Sequence, residues 1–128
     1  ILANPEDGID LEIVEPEEMQ DTYGTTNTGS NKMCIRRDVY EGAVKGDPRD
    51  RFTLCYEVGH YFLHQPHSIS FARGKIPRYR DPEWQANTFA GELMAPYELV
   101  KDMSAEEIAV KCKMSRQAAK IQYNEYHK

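Results

Sequence analysis

Residues 47–66 read DPRDRFTLCYEVGHYFLHQP, and this stretch has the signals of one helix with a single polar stripe. Asp47 suits an N-cap, Pro48 the first helical position, and Asp50 places negative charge in the first turn, while Pro66 stops the helix. At about 100° per residue, Tyr56, Glu57, His60 and His64 fall within an arc of roughly 100°. Phe52, Leu54, Cys55, Val58, Gly59, Tyr61, Phe62 and Leu63 cover the remainder, so the sequence predicts a helix buried nearly all round. Burying imidazoles and a carboxylate together is costly unless they are paired or hold a cation.

Zinc is the cation that fits such a stripe. In H-E-x-x-H, two imidazoles four residues apart reach one metal and the intervening Glu acts as general base on metal-bound water. Here the five residues are Tyr56-Glu57-Val58-Gly59-His60, with the base and the second ligand present and a tyrosine at the first ligand position. A phenol, with an ordinary pKa of about 10, is not among the usual zinc ligands and must lose its proton to coordinate well. Zinc is therefore expected to be weakly held or absent. His60 and His64 are also four residues apart, which leaves open a shifted ligand pair with His64 as the alternative ligand and with Glu57 outside it.

The chain has 128 residues, enough for one domain with a modest core. Its 40% hydrophobic and 29% charged residues are those of an ordinary globular protein. No apolar run approaches the roughly 18 residues of a membrane span, and the first residues lack the pattern of a signal peptide, so no membrane partner and a cytoplasmic location are expected. Cys34, Cys55 and Cys112 are widely spaced and form no C-x-x-C pair, which suits free thiols. The net charge is −5, and residues 1–50 hold 12 acids against 5 bases. That acidic half argues against bulk nucleic-acid binding, although 71–80, FARGKIPRYR, is locally basic.

The rest of the chain organises around the helix. Ile9, Leu11 and Ile13 alternate with Asp10 and Glu12, predicting a strand over 8–14. Residues 21–31, DTYGTTNTGSN, read as a turn-rich segment, and Lys32 to Arg37 as a second strand with Met33 and Ile35 on one face. These two strands are expected to pair antiparallel, with 36–47 as a glycine-containing connection. Residues 67–80 read as a long loop, with His67 in it. Asp81-Pro82-Glu83 repeats the helix-start signal, and Ala86, Phe89, Ala90 and Leu93 then form an apolar face that Glu83 shares. Ser104 to Glu107 is a capping box and Ser115 a second cap, predicting a terminal helix pair over 104–127.

These elements resemble the ImmA/IrrE family of zinc metallopeptidases. RDRFTLCYEVGHYFLH at 49–64 is similar to that family's R-F-T-L-A-H-E-L-G-H-x-x-x-H helix, and EWQANTFAGELMAP at 83–96 to its E-x-x-A-N-x-F-A-x-E-L-L-M-P helix. The resemblance implies an α+β fold as one domain over 1–128: a small antiparallel sheet in 3–37 packed against a zincin-type active-site helix at 47–65, a third-ligand helix at 81–95, and a helical C-terminal half. It implies Glu57 as general base, His60 and Glu83 as metal ligands, and Tyr56 at the position of the first His ligand. It also implies hydrolysis of a protein substrate such as a helix-turn-helix repressor, often one of mobile elements, with the reaction impaired or lost through Tyr56.

Two other readings stay open. A pseudoenzyme of the same fold would hold an extended peptide by strand addition at the edge near Lys32 to Arg37. A DNA-binding regulator would instead place Arg116, Gln117 and Lys120 of the terminal helices in a groove.

Overall fold

The computed structural model describes residues 10–63 and 81–128. His64, His67 and the basic stretch 71–80 lie outside the described residues. The elements, in chain order, are β1 (Asp10–Val14), α1 (Pro16–Met19), β2 (Gly24–Asn27), β3 (Lys32–Arg36), α2 (Arg37–Val44), α3 (Pro48–Leu63), α4 (Pro82–Met94), α5 (Tyr97–Val100), α6 (Ala105–Lys111) and α7 (Arg116–Tyr126). Among the described residues the architecture is α+β, with a three-stranded sheet followed by a helical half.

The sheet order is β1-β3-β2, which corrects two expectations. β1 and β3 run parallel, with Leu11 opposite Met33 and Ile13 opposite Ile35. The antiparallel partner of β3 is β2, taken from the segment read as a turn. A parallel pair needs a crossover of about a dozen residues or more, and 15–31 supplies it with α1 and β2. A hairpin turn joins β2 to β3, where the Asn27 side chain accepts from the backbone N–H groups of Gly29 and Ser30. β3 is thus the central strand, hydrogen-bonded on both sides, and offers no free edge near Lys32 to Arg37. Its alternation is real: Met33 and Ile35 are fully buried, with Lys32, Cys34 and Arg36 between and beside them half-buried.

Residues 36–47 contain a helix where a connection was expected. α2 buries Val39 and Ala43, four residues apart, on one face. Gly42 does not break it. A Cβ there would lie within 1.8 Å of Asp50 Oδ2, so the glycine allows α2 to come up against the first turn of α3.

α3 begins as its caps predict, with Asp47 Oδ1 accepting from the Asp50 N–H at 3.1 Å. Its burial is narrower than the apolar count implies. Only Glu57, Val58 and Gly59 of this helix are buried, and Phe62 and Leu63 in the last turn are exposed. α3 separates two clusters: Val58 and Leu54 pack with Met33, Ile35 and Val39, while Phe52 and Cys55 pack against Met94, Ile108, Cys112 and Met114. α3 is therefore the shared wall of both halves of the core. The three cysteines are free, and burial pushes the Cys55 and Cys112 thiols up.

α4 starts at an N-cap in which Asp81 Oδ1 accepts from the Glu83 N–H at 2.9 Å. Its buried face is Ala86, Ala90, Gly91 and Met94, rotated from the expected one, so that Leu93 is exposed and Phe89 half-buried. Gly59 of α3 lets α4 come close, since a Cβ there would stand 3.1 Å from Phe89 Cδ1, while Gly91 of α4 makes room for Gln122 of α7. The capping box of α6 and the Ser115 cap of α7 form as predicted. The Tyr126 hydroxyl, donating to the Ala95 carbonyl at 2.6 Å, ties α7 back to the end of α4. Among the described residues no helix is long and apolar enough to cross a membrane.

Candidate active site

Glu57 sits in the middle of α3, where that helix meets β2, and is only 6% exposed. The Thr26 hydroxyl of β2 donates to Glu57 Oε1 at 2.7 Å and lies 3.2 Å from the Glu57 carbonyl oxygen. Gly24 makes this approach possible, because a Cβ there would stand 3.1 Å from Glu57 Cγ and 3.0 Å from Ile35 Cδ1. Burial pushes the Glu57 carboxyl above its ordinary range, and the hydrogen bond from Thr26 opposes that rise without cancelling it. A carboxyl moved upward in this way is better matched to accepting a proton near neutral pH.

The same shift has a consequence for stability. With its pKa raised on folding, Glu57 contributes most favourably below its unfolded value of about 4.3, and that contribution is lost as pH rises through the folded value. Glu57→Gln removes the ionisation and keeps an oxygen for Thr26. In metal-free protein, the stability of Glu57→Gln relative to the parent should therefore grow between pH 4 and pH 7, measured by urea midpoints at both. A constant difference would show that burial does not govern this carboxyl.

One turn further along α3, His60 Nε2 stands 3.4 Å from Glu83 Oε1 of α4. The packing of α3 on α4 brings these two residues together from opposite sides of the undescribed segment. Glu83 does not point into the core as its shared face with Ala86 suggested; its side chain is 67% exposed and turns to the imidazole at the helix margin. Tyr56, one turn before His60, packs edge-on against it, with ring centroids 4.7 Å apart and planes at 89°. Tyr56 and Glu57 also line a cavity of about 330 Å³ together with Tyr23, Gly24, Phe52, Thr53 and Asn87.

The donor set can be tested against zinc. Two donors about 2.0–2.1 Å from one tetrahedral metal are about 3.3–3.4 Å apart, and the His60–Glu83 distance of 3.4 Å matches. An imidazole and a carboxylate are both donors that zinc accepts. A catalytic zinc takes three and a water, and the neighbouring residue that would supply the third is a phenol in ring contact with His60. Among the described residues no group of three His, Cys, Asp or Glu side chains is placed to hold a metal. The described residues therefore do not complete a catalytic zinc site. The alternative ligand His64 lies outside them.

Helical spacing in the sequence singled out Tyr56, Glu57 and His60, and the second helix start singled out Glu83; the fold sets Tyr56 in ring contact with His60, His60 beside Glu83, and Tyr56 and Glu57 on one cavity. Sequence reasoning missed Thr26, which lies in a Thr- and Gly-rich run with no apolar pattern to mark it. No curated protein and no solved structure gives a significant match to this chain. The family model of the IrrE N-terminal-like domain, a peptidase family, matches residues 9–123. That match takes in the strands, the motif helix, the Glu83 helix and nearly all of the terminal pair, and the peptidases of the family are generally zinc-dependent. The chain belongs to the IrrE N-terminal-like peptidase domain family.

Proposed function

We propose that the chain is a peptidase-fold domain that engages a protein segment beside Glu57, and that Tyr56 leaves its zinc centre incomplete and its peptide-bond hydrolysis impaired or lost. The observation that carries this reading is the His60–Glu83 pair, held at the spacing of two ligands of one metal beside a buried carboxyl, with a tyrosine at the remaining ligand position. A helix-turn-helix repressor is the proposed partner, on the strength of the family resemblance alone.

The chain's own residues divide the work. Thr26 fixes one oxygen of Glu57 and so sets the direction in which that carboxyl can accept a proton. The edge available for an added peptide strand beside Glu57 is β2, because β3 is paired on both sides and β2 on only one among the described residues. A segment added there would pass the cavity that Tyr56 and Glu57 line.

Cleavage of an unstructured protein such as casein, with zinc supplied, tests the reading. The parent should stay at background and Tyr56→His should rise above it. Adding Glu57→Gln to that variant should lower the gained rate by at least about 100-fold, the usual worth of a positioned general base. Hydrolysis by the parent equal to that of Tyr56→His would overturn the proposal.

A further inference from the structure

Beside the site cavity lies a larger open groove of about 590 Å³ between the first turns of α3, the end of α4 and the start of α7. Its floor is apolar: Phe52, Met94 and Met114, the two methionines buried, with Ala118 and Ile121 of α7 forming one side. Its rim is polar, with Arg49, Thr53, Ser115 and Gln117. The volume falls in the range of about 300–1,000 Å³ typical of ligand sites, and thioether floors adapt to side chains of different shape.

Three residues line both this groove and the site cavity: Tyr23, Phe52 and Thr53. The two spaces are therefore neighbours along α3, sharing these side chains as walls. Tyr23, the exposed wall between them, is held by the Arg36 guanidinium 4.7 Å from its ring centre. Thr53 precedes Glu57 by four residues and Arg49 by eight, which is about 6 and 12 Å along the helix axis. An extended chain covers those distances in about two to four residues.

Resting on the peptidase-fold reading above, we propose that this groove is the specificity pocket of the bound protein segment. It takes two large apolar side chains, of the leucine, methionine or phenylalanine kind, two to four residues from the position facing Glu57. A groove that shares walls with the site cavity and lies two to four extended residues from Glu57 suits the side chains of one extended peptide passing that carboxyl. The apolar floor takes its side chains while rim donors and acceptors meet its backbone.

A random dodecapeptide library displayed on phage and selected on the parent protein is the probe, followed by fluorescence anisotropy with the synthetic form of the most enriched peptide. The expected sequences carry a pair of large apolar residues at fixed spacing, and their binding is unchanged by chelator. Ala118→Trp, which fills the groove, and Ile121→Asp, at a position 56% exposed and so tolerant of charge, should each weaken binding at least about tenfold. Thermal melts of both variants check that they fold. Absence of enrichment, enriched peptides without the apolar pair, or equal binding to the parent and both variants would overturn the proposal. A parent dimer that Ile121→Asp converts to a monomer would also overturn it, by making the groove an interface between copies. Because no metal is needed for this binding, a Tyr56→His variant that fails to gain zinc counts against the incomplete-centre reading and leaves the groove result standing. Loss of peptide selectivity with zinc gained counts the other way.

Discussion

Replacing Tyr56 by histidine is expected to raise zinc affinity by more than about 100-fold, read by competition with a chromogenic chelator. Changes to groups that merely orient a ligand already cost about 10–100-fold, and this one adds a donor that touches the metal. Two of the three proposed donors, His60 and Glu83, already stand 3.4 Å apart, so the gain requires no rearrangement of α3 against α4. Tyr56 and His60 are one helical turn apart, and an imidazole at 56 shares the helix face that the tyrosine ring now occupies. The phenol, by contrast, has to lose a proton to become a ligand and then adds negative charge that weakens the metal as a Lewis acid. Tyr56→Phe separates these effects: if the phenol oxygen supplies no useful bond, Phe and Tyr should bind zinc equally poorly.

Ile35→Ala should give the largest loss of stability, about 2–5 kcal/mol, with the melting temperature falling by roughly 10 °C. Ile35 is fully buried at the centre of the sheet and belongs to the cluster that joins β3 to α2 and α3. Its neighbours across the ladder are Ile13 on one side and Gly24 on the other, so a cavity there loosens both edges together. The effect reaches the site. Ile35 lies against Gly24, the strand that carries Thr26 to Glu57 is then less firmly seated, and the Thr26–Glu57 hydrogen bond weakens. Urea unfolding measures the first consequence. A stability within about 1 kcal/mol of the parent would mean that the sheet is not packed as described, since filled cores do not tolerate that deletion so cheaply.

The parts of this molecule legible in its sequence are those fixed by neighbouring residues. Asp47-Pro48, Asp81-Pro82, Ser104 with Glu107, and Ser115 each mark a helix start because capping is a local hydrogen bond, and all four form. Tyr56, Glu57 and His60 could be placed together because helical spacing alone puts them on one face. What depended on distant partners was not legible. Gly42 reads as a breaker until Asp50 is seen against it. Residues 24–27 read as a turn because threonine, glycine and asparagine carry no burial pattern, and only pairing with β3 and the contact with Glu57 make them a strand. The parallel sense of β1 and β3 follows from inserting that strand between them in sequence, a matter of topology that neither segment records. Nor could apolar content along α3 tell which residues lie under α4 and which, such as Phe62 and Leu63, extend beyond the packed middle.

The most direct test of a zinc centre left incomplete at Tyr56 is elemental analysis of the parent and of Tyr56→His, purified side by side and dialysed against the same micromolar zinc. Less than a stoichiometric amount of zinc is expected in the parent and one equivalent in the variant. One equivalent already present in the parent, or none in either protein, would contradict it.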